Sequence, residues 1–181
     1  VTSRELRRHH IRGDDLRACM RLFPTGVALF TVGEGDDVMS MTVNSVVSVS
    51  LEPPLLLVSV HERARIMASV GPGTAFTVGF LGADQTALSR RFASRSRPVG
   101  AAAVSAMAGK AGINGVPAPA ASPGVVECVL EQVIPVGDHV LLIGLIVHVV
   151  VRAEARPPQV FYRGDLVTVA ESSHLEAGVE R

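Results

Sequence analysis

Residues 42–54 read TVNSVVSVSLEPP. Thr42, Asn44, Ser45, Ser48 and Ser50 fall within the nine residues 42–50, and none of those nine is charged. Hydroxyl and amide groups of this kind offer donors and acceptors without net charge. They suit a flat heteroaromatic ring that carries its own carbonyls and ring nitrogens. A polar strand face followed by a turn has the same composition, so spacing alone leaves both readings open.

Four shorter segments carry further chemistry. In residues 23–27, FPTGV, Pro24 fixes a backbone angle, Thr25 offers a hydroxyl and Gly26 permits close backbone approach. A helix-to-strand connector needs the same residues. Residues 61–65, HERAR, place Arg63 and Arg65 at an expected helix start, where guanidinium groups and free amides can receive a phosphate. Gly137, Asp138 and His139 form a turn that presents an imidazole beside a carboxylate, a group able to hold or move a proton near neutral pH. Residues 161–164, FYRG, hold the single tyrosine, Tyr162, beside Arg163 and Gly164. A phenol ring and a guanidinium can sandwich a dinucleotide, and they can equally anchor a terminal hairpin.

The elements that must position these residues follow from periodicity. Asp14 or Asp15 is expected to cap a short helix to about Phe23, with Leu16, Met20 and Phe23 as its buried stripe. Strands are expected over 27–32 and 38–43 around a turn at 33–37, then over 55–60 and 74–81. Short helices are expected over 64–70 and 83–93. Residues 94–123 are rich in Ala, Gly, Ser and Pro and read as a long, partly ordered loop, either covering a site, lying on a partner subunit or simply crossing the surface. Two long antiparallel strands, 124–136 and 139–152, and a small hairpin around 163–165 complete the chain. Seven or eight hairpin-connected strands with two or three short helices predict a mainly β, antiparallel barrel. The expected domain covers 14–169, between an arm at 1–13 and a tail at 170–181, both read as flexible.

Composition narrows the function classes. The 181 residues carry 17 basic and 17 acidic side chains, with six Phe, one Tyr and no Trp. That balance gives no electrostatic or stacking reason for a nucleic-acid partner. The apolar run 140–151 is too short for a bilayer span and contains His148, so no membrane role is expected. His148 reads as structural, and His9, His10 and His174 fall in the expected flexible ends. Cys19 and Cys128 belong to no CxxC pair and read as two buried thiols, with no metal site. The N-terminal residues lack an apolar signal core, which points to the cytoplasm. No glycine-rich dinucleotide fingerprint or P-loop is present.

No one segment decides between these readings, but their order does. FPTGV, MTVNSVVSVSLEPPLLL, LSRRFA at 88–93, VEC at 126–128, GDH and FYRG occur in a series that resembles the flavin reductase-like family. These are the FMN-binding split-barrel reductases of two-component flavin monooxygenases. The resemblance runs from about Leu16 to Val169. It implies an NAD(P)H:flavin oxidoreductase that uses NADH or NADPH to reduce FMN or FAD and supplies reduced flavin to a partner monooxygenase. It implies an isoalloxazine and ribityl site along Thr42, Val43, Asn44, Ser45, Ser48 and Ser50, with Thr25 close by. Arg63, Arg65, Phe92, Ala93 and Arg95 would approach the flavin phosphate. His139 would serve the hydride-transfer step, and with Tyr162, Arg163 and Gly164 it would meet the nicotinamide nucleotide. A homodimer with each flavin site near the subunit interface is also implied. The family commonly has a Ser-Arg-Thr-like triplet where this chain has Ala64, Arg65 and Ile66, so here the arginine stands without the two hydroxyls. Two other functions suit the same barrel: a flavoenzyme with its own organic substrate, and a non-catalytic flavin-binding or partner subunit.

Overall fold

A computed structural model describes residues 11–152 and 156–169. Residues 1–10 of the expected arm and the whole expected tail 170–181, with His9, His10 and His174, lie outside the described residues. The chain begins with helix α1 (Gly13–Met20), followed by strands β1 (Thr25–Gly26), β2 (Ala28–Val32), β3 (Met39–Val43), β4 (Val46–Leu51), β5 (Pro54–His61) and β6 (Ala75–Phe80). Helices α2 (Thr86–Ala93) and α3 (Gly100–Ala106) come next, then β7 (Lys110–Ala111), β8 (Pro117–Ala118), β9 (Gly124–Val136), β10 (His139–Val151), β11 (Gln159–Tyr162) and β12 (Asp165–Thr168).

One sheet dominates. Its seven strands lie in the order β3-β2-β6-β9-β10-β5-β4, with every neighbouring pair antiparallel. β3 and β4 are its two edges, yet only Asn44 and Ser45 separate them in the chain. Two linking residues reach no more than about 10 Å. The sheet therefore curls until its edges nearly meet, as the expected antiparallel barrel requires, and the split falls at residues 44 and 45.

The inward face forms one core, with Phe30, Phe76, Val58, Val60, Cys128, Leu130 and Leu142 all buried. Phe30 and Phe76 pack edge to face, their ring centroids 5.4 Å apart. A side chain at Gly144 would overlap the Phe76 ring, so β10 needs glycine there, beside a register shift in its pairing with β9. β2 is buried on both faces: Ala28, Phe30 and Val32 point inward, while Leu29 joins Val27, Val38, Leu81, Phe92, Ala103 and Met107 in a second core beneath α2 and α3.

Three sequence expectations need correction. Residues 94–123 are not a loose excursion. Ala103 and Met107 enter the second core, and residues 116–119 are buried. The Thr77 hydroxyl donates to the Pro117 carbonyl at 2.9 Å, and Asn114 donates through Nδ2 to the carbonyls of Phe76 (2.9 Å) and Cys128 (3.3 Å). Small residues hid this packing because alanine and glycine give weak periodicity. The second correction is α1. It stops at Met20, Arg12 rather than an aspartate occupies its N-cap, and Asp14 instead pairs with Arg17 at 2.9 Å. Leu16, Met20 and Phe23 are 55%, 53% and 63% exposed, since among the described residues no other element covers the stripe.

The third correction concerns the thiols. Both cysteines are free, but Cys19 is exposed and only Cys128 is buried. Burial, reinforced by the neighbouring Glu127 carboxylate, pushes the Cys128 thiol up to about 12. Only a thiolate reacts readily. A thiol reagent at pH 8 is therefore expected to modify Cys19 rapidly and Cys128 only after denaturation; peptide mapping of the labelled native protein checks this.

Candidate functional site

Thr42, Asn44 and Ser45 stitch the split together. The Thr42 hydroxyl donates to the Ser89 carbonyl on α2 at 2.7 Å. The Ser45 hydroxyl donates to the Ser59 carbonyl on β5 at 2.6 Å. The Asn44 amide donates through Nδ2 to the Thr25 hydroxyl at 3.2 Å. These side chains thus spend their donors on the scaffold. What they leave for a ligand is acceptor capacity: the Asn44 side-chain carbonyl and the free lone pairs of the hydroxyls.

A cleft of about 330 Å³ opens beside this seam. Thr42, Val43 and Asn44 form one wall, with Val27, which links β1 to β2. Ser89, Arg90 and Ala93 of α2 form a second, and Phe161, Gly164, Asp165 and Leu166 of the final hairpin close the third. Two wider grooves adjoin it. One, about 480 Å³, runs between α1 and β4 past Met20, Phe23, Thr25 and Ser45; the other, about 630 Å³, runs past Gly26, Phe80, Pro158 and Gln159. Asn44 lines all three, so the Asn44–Thr25 hydrogen bond stands at their junction. The combined space is mostly apolar, with neutral polar groups along the split and charged side chains such as Arg90, Asp165 and Arg156 also in its lining, a composition that suits a fused aromatic ring system.

The hairpin reaches the cleft through its two-residue turn. Arg163 (φ 53°) and Gly164 (φ 91°) are both left-handed, the geometry of a type I′ connection between Tyr162 and Asp165. The Arg163 amide donates to the Arg21 carbonyl at 2.8 Å, anchoring the turn to the end of α1. Its guanidinium carbon stands 5.3 Å from the Tyr162 ring centroid. Tyr162 and Arg163 thus pair with each other, and Gly164 with Asp165 faces the cleft.

His139 sits apart from this seam. It pairs with His61 across β10 and β5, their rings 5.3 Å apart and nearly edge to face. Its Nδ1 lies 2.7 Å from the Asp138 carboxylate. That hydrogen bond holds the Asp138 carboxyl below the usual carboxylate range. His139 lines none of the three spaces above.

The other expected site residues divide sharply. Thr42, Val43, Asn44, Ala93 and Gly164 come together in the cleft, and Thr25 and Ser45 line the adjoining groove. Ser48 and Ser50 lie along β4, away from the cleft wall; Ser48 is exposed, and the Ser50 hydroxyl accepts the Glu52 amide at 3.2 Å. Arg63 is exposed and lies 3.5 Å from Glu62. The Phe92 side chain is wholly buried in the second core, so it packs α2 instead of lining the cleft. Arg65 donates to the Arg97 carbonyl at 3.0 Å, which places it beside the exposed 94–97 turn that carries Arg95. Sequence reasoning missed Ser89, Arg90 and Asp165. Ser89 and Ala93 are four apart on a helix, a spacing that puts both on one face and was available to find the first.

Residues 20–170 match the flavin reductase like domain, and the chain belongs to that family. An NADH-dependent FMN reductase, AsuE2, of Streptomyces nodosus subsp. asukaensis is 38% identical over 157 residues, covering 87% of this chain and 85% of the relative. An NADH-dependent FAD reductase of Streptomyces globisporus is 35% identical over 133 residues, covering 73% and 72%. Among solved structures, BorF, the flavin reductase component of a bacterial two-component tryptophan halogenase, superposes with a TM-score of 0.82 at 31% identity, covering 89% of this chain and 100% of that one. The Streptomyces globisporus NADH:FAD oxidoreductase SgcE6, solved with NAD and FAD fragments, has a TM-score of 0.79 at 30% identity, covering 92% and 99%.

Proposed function

We infer that this chain is an NAD(P)H-dependent flavin reductase that passes reduced flavin to a partner monooxygenase. One observation carries the reading: within this family's fold, the cleft at the barrel split is walled by uncharged Thr42, Val43 and Asn44 and closed by α2 and the last hairpin. Flavin, when bound, supplies the acceptor for a hydride from the reduced nicotinamide. The protein's part is alignment and exclusion of water. Thr42, held to Ser89, and Asn44, held to Thr25, fix the wall against which a ring would lie. Thr25 and Ser45 extend that surface along the adjoining groove.

His139 and the Tyr162–Gly164 turn are proposed to meet the nicotinamide nucleotide. The Asp138 carboxylate, 2.7 Å from His139 Nδ1, orients the ring and leaves Nε2 as its other polar edge. Names of relatives specify NADH and either FMN or FAD, and NADH is the proposed reductant. A homodimer is proposed as the working assembly. Among the described residues, the apolar side chains Leu16 and Met20 on α1, Phe23 just after it, Val47, Val49 and Leu51 on β4, and Val147, Val149 and Val151 on β10 are all exposed, the kind of apolar surface a partner subunit covers. Among the described residues no helix is long and apolar enough to cross a membrane, and the cytoplasm is the proposed setting.

The test uses purified protein with NADH and free FMN or FAD. NADH oxidation is expected to depend on added flavin and to feed a flavin-dependent oxygenase supplied separately. No turnover with either nicotinamide and either flavin would sink the reading.

A further inference from the structure

The cleft at the barrel split carries two charges that the protein leaves unspent. Arg90 on α2 and Asp165, the first residue of β12, line it from two different walls, and both are exposed. Among the described residues they are the two charged members of its lining, and they are opposite in sign. Neither forms an ion pair among the described residues. Arg17, Arg63 and Arg156, by contrast, each have a carboxylate partner.

The walls behind the two charges are fixed. The Ser89 carbonyl holds α2 to Thr42 at 2.7 Å, and Phe92 of the same helix lies in the second core. Phe161 and Leu166 pack the last hairpin against that core, and the Arg163 amide ties its turn to the Arg21 carbonyl at 2.8 Å. Freedom at the mouth of the cleft therefore belongs to the two side chains. In an open cleft their pairing gains little, because water solvates each charge and pairing costs side-chain freedom. A flat ring lying in the cleft displaces that water. The effective dielectric between the charges then falls and their attraction grows.

We propose that Arg90 and Asp165 are a side-chain gate: they pair across the mouth of the occupied cleft and slow the escape of the bound flavin. The inference rests on the reductase reading above. Both are positioning residues that act through each other, and neither takes part in hydride transfer.

The rate of FMN release from the loaded protein, followed by stopped-flow fluorescence at low salt, tests this. Arg90→Gln and Asp165→Asn are each expected to release FMN about 3-fold faster, the size of one partly exposed ion pair. The double variant should be no faster than either single one, because a pair can be broken only once. The charge-exchanged protein, Arg90→Asp with Asp165→Arg, should return towards the wild-type rate. Raising the salt should speed release more in the wild type than in the double variant. Both positions are exposed, so thermal melting should be similar throughout the series. Single variants that release FMN at the wild-type rate would overturn the gate. So would single effects that multiply in the double variant, since each side chain would then act on the ligand separately. Wild-type protein that binds no flavin would overturn the reductase reading itself, and the gate with it.

Discussion

Ala93→Trp is expected to cut flavin-dependent NADH oxidation by about 100-fold or more while leaving the fold intact. Ala93 is exposed at the end of α2, so an indole there disturbs no core packing. It projects into a cleft of only about 330 Å³, opposite Thr42 and Asn44. Reactant alignment is steep in distance: a displacement of about 1 Å can cost on the order of 100-fold in rate. Ala87→Trp is the control. Ala87 is also exposed on α2 but does not line the cleft. Thermal melting should be similar for both variants, and turnover should fall only for Ala93→Trp. Undiminished turnover in Ala93→Trp would show that the flavin lies elsewhere.

The second large effect concerns the scaffold. Glu127 on β9 is a carboxylate with 2% of its side chain exposed. It accepts the Asn114 amide at 3.0 Å through Oε2 and faces His148 Nδ1 at 3.0 Å through Oε1. Gly112 passes so close that any side chain there would overlap the carboxylate. This one acidic group therefore pins residues 112–116 onto the barrel wall. The His148 ring is 40% exposed, so solvent screens its share. The larger contribution comes from the Asn114 amide, which would lose its acceptor in a dry setting. Glu127→Ala is expected to cost about 3 kcal/mol of unfolding free energy. Glu127→Gln, which keeps the shape and one acceptor, should cost about 1 kcal/mol. Urea denaturation measures both, and amide exchange should rise in residues 110–118 of Glu127→Ala. A Glu127→Ala protein as stable as wild type would remove Glu127 from this role.

Most strands were legible because their alternation is local. β2, β5, β6, β9 and β10 each match an expected strand to within a residue or two. β4 was less visible: its Val-Val-Ser-Val-Ser pattern read as a polar strip, because four of its six residues remain exposed at a sheet edge. α3 and the short β7–β8 pair escaped notice. Their alanines, glycines and prolines mark no hydrophobic face, although Ala103, Met107 and Val116 are buried. Leu16, Met20 and Phe23 mark a clear face that the other described residues leave exposed. Periodicity reports which residues are apolar together, and only contact decides what covers them.

By itself the sequence determined the strand-rich class, the hairpin at the C-terminal end of the fold, and the uncharged chemistry of residues 42–50 together with the ordered series that marks the family. These are properties of neighbouring residues and of their order, and both are fully written in one dimension. Tertiary structure alone decided that β3 and β4 become facing edges, so that Asn44 meets Thr25 and Thr42 meets Ser89. It also decided that the hydroxyls of Thr42 and Ser45 donate to the protein's own carbonyls, that Phe92 belongs to the core, and that Arg65 stands beside Arg97. The hydrogen bonds among these join residues 14 to 47 positions apart. The curl of the sheet places them, and local propensity carries no record of that curl.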